Sequence, residues 1–161
     1  MGCCITKVKE LRDISKIKNV KYEETKVYIP PIKYGYVCKV YDGDTFTIAS
    51  QMPGSKDIYR FSVRIKGIDC PELRTKDIDE KEIAILAREF AKNLYEETNN
   101  IVELREIKYD KYGRLCSHVY VNKKNVSEEL LRERLAVEYD GGCKVSPLNW
   151  KEYYLRGNNR D

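Results

Sequence analysis

The chain has 161 residues, of which 42% are hydrophobic and 35% are charged. This balance fits one compact domain with a tail and excludes collagen-like, low-complexity and wholly disordered chains. No apolar run reaches the roughly 20 residues that span a bilayer, and the first residues lack the apolar stretch of a secretory signal. We therefore expect neither a membrane-spanning segment nor secretion.

Positive charge is concentrated at the amino terminus. The net charge is +4, and residues 1–21 alone hold six cations and two anions. The rest of the chain has 24 cations and 24 anions, so it has no net charge that would attract a polyanion over a distance. Phosphate recognition must then be local, and we expect a basic tail over residues 1–33 and a folded domain over 34–161.

The cysteines and the single histidine do not form a recognised metal motif. Six cysteines include no Cys-x-x-Cys pair, so a zinc site is not expected. A reducing compartment and free thiols are the better interpretation, with Cys38, Cys116 and Cys143 as small packing residues. His118 lies in the run SHVYV and is predicted to be a strand residue.

The chain begins with a weak helical pattern that gives way to strands. Apolar residues three apart among lysines predict a marginal helix within residues 7–29, ended by Pro30-Pro31. Three β-like runs follow, GYVCKVY, DTFTIAS and DIYRFSVRIKG, separated by the Asp-Gly turn at 42–43 and the loop MPGSK. These runs predict a meander. In the third run, a period of two predicts that Phe61, Val63 and Ile65 are buried and places Arg64 on the opposite face.

Helical patterns and two further strands complete the chain. Asp77 with Glu80 predicts a helix start, followed by apolar residues at helical spacing: Ile83, Leu86, Ala87, Phe90, Ala91 and Leu94. The strands NIVELREIK and LCSHVYV flank the sequence YDKYGR. Ser127 is predicted to cap the helix SEELLRERLA, and Ser146-Pro147 to open the last one. This order predicts an α+β fold, a five-stranded OB-type β-barrel with three helices.

Three short clusters carry the chemistry: DGDT at 42–45, RIKGIDCPE at 64–72 and DKYGR at 110–114. Taken singly, each fits a hairpin turn, a solvated loop or surface ion pairs. Together they offer carboxylates for a divalent ion, a carboxylate base and two guanidinium groups for phosphate charge, as metal-assisted phosphodiester cleavage requires. With Asp44, Asp69 and a backbone carbonyl as oxygen ligands, calcium is favoured over zinc.

In this order and spacing, the three clusters and the later helix NVSEELLRERLA resemble the staphylococcal nuclease (thermonuclease) family over roughly residues 34–156. The resemblance implies an OB-type barrel with three helices. It also implies calcium-dependent hydrolysis of DNA and RNA that leaves 3′-phosphates. A site directed at sugar and phosphate, without evident readers of base edges, suggests weak sequence preference.

The resemblance also implies roles for single residues. Asp44 and Asp69 match calcium carboxylates, and Cys70 stands where the family often has a threonine whose backbone carbonyl binds the ion. Glu72 matches the carboxylate that activates the attacking water. The pair that grips the scissile phosphate matches Arg64 and Arg114.

Other positions match less central roles. Asp42 matches an acidic position next to the calcium ligands, and Thr45 matches one beside the metal-bound waters. Lys111, Tyr112 and Tyr139 match positions that touch the nucleotide, although Tyr139 fits packing equally well. The stretch DGGCKVSP after Tyr139 departs from the family's more aromatic and basic pattern.

The amino terminus carries an acylation-like motif. Met-Gly-Cys-Cys-Ile-Thr fits M-G-x-x-x-[ST], which predicts myristate on Gly2, with Cys3 and Cys4 available for palmitate. Two chains and the basic tail would hold the protein at the cytoplasmic face of a membrane. Without acylation we expect a cytoplasmic protein whose basic tail contacts nucleic acid.

Two further functions compete with a nuclease. One is a catalytically inactive OB-fold module, tethered to a membrane, that binds nucleic acid or protein, and the other is a lipid-anchored calcium-binding adaptor. The intact set of three acidic residues and two arginines favours the enzyme. An inactive module would be expected to lose the base or an arginine, and an adaptor would give the arginines no role. We expect a monomer that acts on DNA, RNA or both.

Overall fold

The structure, a computed structural model, describes residues 17–158. Five long strands form its body: β1 (Tyr34–Asp42), β2 (Thr45–Gln51), β3 (Ile58–Ile65), β5 (Ile101–Tyr109) and β6 (Leu115–Val121). Three short strands are β4 (Ile68–Asp69), β7 (Lys124–Asn125) and β8 (Val137–Glu138). The helices are α1 (Ile78–Glu96), α2 (Val126–Arg132) and α3 (Trp150–Asn158).

The five long strands close into a barrel. β1 pairs antiparallel with both β2 and β5, β2 with β3, and β5 with β6. The parallel pairing of β3 with β6 closes the ring. Apolar side chains from all five strands fill the interior: Val37, Phe46, Ile48, Val63, Ile65, Val102, Leu104, Leu115, Val119 and Val121. The predicted α+β fold, an OB-type barrel with three helices, is confirmed.

Alternation in β3 places one arginine beside the β1–β2 turn. Val63 and Ile65 are buried, whereas Arg64 lies on the other face and pairs in register with Thr45 of β2. The turn between β1 and β2 contains Gly43 and Asp44. Phe61, which we predicted to be buried with its neighbours, is only half-buried and packs against the core.

Helix α1 begins where the sequence predicts. The Asp77 side chain accepts hydrogen bonds from the backbone N–H groups of Asp79 and Glu80, which satisfies two free donors at the helix start. Small residues let the helix lie close to the barrel. A Cβ on Gly43 would stand 2.9 Å from the Ala87 Cβ and 2.8 Å from the Cys70 Sγ. Leu86 is 44% exposed and so lies outside the buried stripe of this helix.

The other two predicted helix starts are wrong. Asn125, not Ser127, caps α2, because its side chain accepts hydrogen bonds from the backbone and the hydroxyl of Ser127. Helix α3 begins at Trp150, where the Asn149 side chain accepts from the backbone of Glu152. Asn149 also donates to Asp79, which ties this start to α1.

Cysteine packing also differs from the prediction. Cys38 and Cys143 are exposed and Cys116 is half-buried, whereas Cys70 is buried in the core. Cys70 is buried where the β1–β2 turn meets α1, because its Sγ and the Ala87 Cβ both approach the Cβ position of Gly43. His118 lies in β6, as predicted.

The described part of the amino-terminal segment lacks the predicted helix. Residues 17–29 contain a single turn of 3-10 helix, Tyr22–Glu24, and the rest of the predicted range lies outside the described residues. The hydrophobic core begins at Ile32, and Pro30 just before it is also buried. Within residues 17–158, no helix has the length and apolar character required to cross a membrane.

Candidate active site

Asp44 is the most constrained acidic residue at one end of the barrel. Only 5% of its surface is exposed. Its Oδ1 accepts from the Thr45 hydroxyl at 2.9 Å, and its Oδ2 accepts from the Cys70 backbone N–H at 2.6 Å. Burial raises the pKa of Asp44, although Arg64 and the Cys70 N–H oppose that shift. The β1–β2 turn thus holds one carboxylate in a fixed orientation.

Arg64 joins two buried carboxylates. One terminal nitrogen lies 2.8 Å from Asp44 Oδ2, and the other donates to Asp69 Oδ1 at 2.7 Å. The Arg64 side chain is 12% exposed. A planar guanidinium can contact two carboxylates at once, which a lysine ammonium cannot do with the same geometry.

Asp69 reaches the site through a small second sheet. Its strand, β4, pairs antiparallel with β8 in a register that places Asp69 opposite Val137. Asp69 Oδ2 is buried and has no hydrogen-bond donor aligned on it. The Lys144 ammonium nevertheless lies 2.7 Å from this oxygen, close enough for an ion pair.

Glu72 follows on the loop after β4. Its backbone N–H donates to the Glu80 carboxylate at 3.0 Å, which anchors the loop to the first turn of α1. The Glu72 carboxylate itself is 57% exposed and lies 3.6 Å from the Lys144 ammonium. Burial and the charge of Glu72 raise the pKa of Asp42, which lies beside it.

The loop between β5 and β6 presents Arg114. Asp110 accepts from the backbone N–H groups of Tyr112 and Arg114 through one oxygen, and from Arg114 Nε at 2.6 Å through the other. Gly113 has φ of +80°, a conformation that side-chain-bearing residues rarely adopt. Burial raises the pKa of Asp110, but hydrogen bonds from Arg114 and Tyr112 lower it by more, so the net shift is downward.

These side chains surround one cavity of about 330 Å³. Nine predicted residues line it: Asp42, Asp44, Thr45, Arg64, Asp69, Glu72, Tyr112, Arg114 and Tyr139. A neighbouring groove of about 470 Å³ shares Asp42, Thr45 and Glu72 with this cavity and continues along Tyr41 and Arg74. The two spaces are therefore adjacent, and we refer to them together as the trough.

Two predicted residues, Cys70 and Lys111, do not line this cavity, and three more lie outside the described residues. Cys70 contacts Asp44 through its backbone N–H, and its buried thiol has a pKa well above the usual value, chiefly because of desolvation. Lys111 does not line the cavity, and its ammonium lies 5.2 Å from the centre of the Tyr112 ring. The predicted lipidation positions Gly2, Cys3 and Cys4 lie outside the described residues.

Lys144 is the lining residue that sequence reasoning missed. It belongs to the loop after β8, where the Tyr139 N–H donates to the Gly67 carbonyl and the Tyr139 hydroxyl donates to that of Gly142. These contacts turn the loop back toward Asp69. Burial lowers the pKa of Lys144, but Asp69 and Glu72 raise it by more, so the net shift is upward. No local pattern in DGGCKVSP signals this position.

The donors suit a hard cation, although they are few. Among residues 17–158, no group of three or more His, Cys, Asp and Glu side chains is arranged to hold a metal ion. The carboxylates of Asp44 and Asp69 nevertheless converge on one guanidinium, and Asp69 Oδ2 is buried without an aligned donor. Carboxylate and carbonyl oxygens are the ligands that calcium prefers, so these residues fit part of a calcium coordination shell.

Two comparisons with known proteins agree with this site. The family model for staphylococcal nuclease homologues matches residues 62–153. A protein of Schizosaccharomyces pombe named "probable endonuclease" is 31% identical over 165 aligned positions, which cover 88% of this chain and 67% of that protein. The family match spans more than half of the chain, and it includes Arg64 at the end of β3, the Asp69–Glu72 segment and the Arg114 loop, whereas the turn that carries Asp44 precedes it. The chain therefore belongs to the staphylococcal nuclease homologue family.

Proposed function

We propose that the protein is a calcium-dependent nuclease that hydrolyses phosphodiester bonds of DNA and RNA with weak sequence preference and leaves 3′-phosphates. Family membership supports a nuclease, and the relative from Schizosaccharomyces pombe carries the name of an endonuclease. The observation that carries the proposal is one cavity that combines buried carboxylates, an exposed carboxylate and two arginines from separate elements. A barrel that only bound nucleic acid would have no use for buried acidic residues in that cavity.

Asp44 and Asp69 would hold calcium, with the backbone carbonyl of Cys70 as a third oxygen. Their burial and the hydrogen bonds from Thr45 and the Cys70 N–H fix Asp44 before any ion arrives. A bound calcium ion supplies positive charge that stabilises the phosphate as negative charge develops on its oxygens. Asp42 would add negative charge beside these ligands, and Thr45 would position water near them.

Glu72 is our candidate for the general base. Its side chain is more than half exposed and lines the cavity. Its backbone N–H is hydrogen-bonded to Glu80, which restrains the loop that carries it. The oxygen of a water molecule bonds to phosphorus while Glu72 accepts its proton. The bond from phosphorus to the 5′-oxygen breaks, that oxygen takes up a proton, and the phosphate stays on the 3′ side.

Arg64 and Arg114 would bind the phosphate from two sides. Asp110 holds Nε of Arg114, which leaves the terminal nitrogens of that guanidinium to donate elsewhere. Arg64 is held by the same carboxylates that would bind calcium, so it lies beside any phosphate bound there. Fixed guanidinium donors stabilise the transition state because they need little reorganisation as charge develops.

The trough gives a path for a continuous strand. Tyr112 and Tyr139 line the cavity, and Tyr41 and Arg74 line the adjacent groove. Aromatic rings and cations along a groove suit a nucleic-acid strand, because every base has a stacking face and every phosphate a charge. This arrangement supports cleavage within a strand, with Lys111, Tyr112 and Tyr139 as contacts to the nucleotide.

The amino-terminal motif supports a location at a membrane surface. We propose myristate on Gly2 and palmitate on Cys3 or Cys4, with the basic residues of the tail against anionic lipid. The anchored protein would be a monomer at the cytoplasmic face of a membrane. The catalytic candidates begin beyond residue 40 and belong to the folded domain over residues 34–161, so anchoring and cleavage are separable.

Cleavage assays test the central proposal. Purified protein is incubated with plasmid DNA, single-stranded DNA and RNA, either with calcium or with a chelator. We expect cleavage of all three substrates with calcium and none with the chelator. The products should carry terminal phosphates that a phosphatase specific for 3′-phosphates removes. Cleavage that persists in the chelator would contradict the calcium requirement.

A further inference from the structure

The Lys144 ammonium occupies a position between two acidic residues of the cavity. Its Nζ lies 2.7 Å from Asp69 Oδ2 and 3.6 Å from Glu72 Oε1. Its side chain is 38% exposed, whereas that of Asp69 is 9% exposed. A lysine side chain from a loop thus lies against the one oxygen of Asp69 that Arg64 does not contact.

A positive charge at this position is electrostatically favourable. Asp44 and Asp69 are buried next to each other and share one guanidinium, and Glu72 adds a further negative charge nearby. Buried carboxylates are costly without an opposite charge. Lys144 provides that charge from within the chain, at an oxygen that we propose as a calcium ligand.

We infer that Lys144 is an internal counter-cation that competes with calcium for Asp69 and so raises the calcium concentration at which the site fills. The inference rests on the proposed calcium dependence. An ammonium 2.7 Å from Asp69 Oδ2 and a calcium ion bound to the same oxygen would lie within about 5 Å of each other and repel. We therefore expect Lys144 to move away from this carboxylate when the ion binds.

The surroundings of Lys144 allow that movement. The neighbouring Cys143 and Val145 are exposed, so the loop has little packing to lose there. Among the described residues, the ion pairs of Lys144 are those with Asp69 and Glu72. The long aliphatic stem of lysine lets the ammonium swing into solvent without a change in the backbone.

The size of the effect follows from the ion pair and from charge repulsion. An ion pair at this exposure changes an equilibrium constant by up to about fivefold. Repulsion between a divalent ion and an ammonium that remains near the cavity adds a factor of similar order. We expect Lys144→Met to bind calcium roughly 5- to 30-fold more tightly than wild type.

Calorimetric titration with calcium alone, without nucleic acid, measures this affinity directly. Lys144→Gln should show the same tightening as Lys144→Met, and Lys144→Arg, which retains the charge, should not. Lys151→Met is a matched control. Lys151 is 43% exposed and lies 2.8 Å from Glu82 and 3.5 Å from Asp79, but it does not line the cavity. Its loss changes the net charge equally and should leave calcium affinity at the wild-type value.

The outcomes separate this inference from the proposed function. If wild type binds calcium and neither neutral variant binds it more tightly, the counter-cation role of Lys144 is wrong and the calcium-dependent nuclease stands. If neither wild type nor the variants bind calcium, the calcium requirement fails and the inference falls with it. Equal tightening in Lys151→Met would show a general charge effect and would also overturn the inference.

Discussion

Replacing Arg64 by methionine removes the guanidinium that joins the two buried carboxylates of the site. Asp44 Oδ2 would keep the Cys70 N–H, and Asp69 Oδ1 would lose its charged donor at 2.7 Å. Methionine preserves most of the aliphatic volume, so the change isolates the charge and its hydrogen bonds. The perturbation therefore tests whether Arg64 compensates the negative charge of the cavity as well as binding phosphate.

The expected loss of stability is large for one residue. Removing one partner of a buried ion pair costs about 3–5 kcal/mol, because the remaining charge stays buried without compensation. Arg64 is 12% exposed, so we expect about 3 kcal/mol, at the lower end of that range. For a domain of this size, that loss lowers the unfolding midpoint by roughly 10 °C.

The only tryptophan makes the measurement direct. Trp150 is 3% exposed in the folded protein, so denaturant unfolding can be followed by its fluorescence. Arg114→Met is the matched control, because Arg114 is 30% exposed and is paired with a single carboxylate, that of Asp110. We expect that control to lose about 1 kcal/mol or less. Equal stabilities of Arg64→Met and wild type would refute the compensating role of Arg64.

The pH dependence of the stability difference between Arg64→Met and wild type is a second test of this role of Arg64. Burial raises the pKa of Asp44, and Arg64 opposes that shift, so the pKa should rise further in Arg64→Met. A carboxyl group whose folded pKa is raised favours the folded state when protonated, and this contribution is lost as pH rises through that pKa. The deficit of Arg64→Met relative to wild type should therefore be largest at neutral pH and shrink as pH falls. A deficit that stays constant from neutral to acidic pH would contradict the argument.

Four further predictions follow from the proposed function. Glu72→Gln should lower turnover by roughly 10²–10⁴-fold with little change in substrate binding. Glu82→Gln on α1 is the control, with a side chain 53% exposed against 57% for Glu72, and it should keep full activity. A Glu72→Gln variant that is active at saturating calcium would remove Glu72 as the base. Arg64→Lys and Arg114→Lys should each lose on the order of 10²–10³ in rate, because an ammonium lacks the planar fork, and a full-rate lysine variant would contradict that role. Magnesium should support cleavage poorly, since two carboxylates and a carbonyl suit irregular coordination better than an octahedral shell, and equal turnover with magnesium would overturn this view. Fractionated cells should show wild type on membranes and Gly2→Ala in the soluble fraction, and a soluble wild type would refute the anchor.

Local patterns in the sequence were sufficient to predict the barrel and most residues that line the cavity. The period of two in β3 placed Arg64 opposite Val63 and Ile65, and the Asp77–Glu80 pattern located the start of α1. Such signals depend on neighbours along the chain, because strand alternation and helix capping involve residues only a few positions apart. The motifs carrying Asp44, Asp69 and Arg114 could be recognised for the same reason.

The tertiary structure alone decided how the loops meet. Pairing of β4 with β8 brings Tyr139 to the cavity, and the following turn brings Lys144 to Asp69. Both contacts join segments that are distant in the chain, so no short pattern encodes them. The starts of α2 and α3 were mispredicted for different reasons. At α2, Asn125 and Ser127 are both favoured caps by local preference, and the structure uses Asn125. At α3, the cap Asn149 also contacts Asp79 of α1, a residue distant in the chain. Contacts of that kind, like the one between Lys144 and Asp69, depend on how distant segments pack, and local preference does not record them.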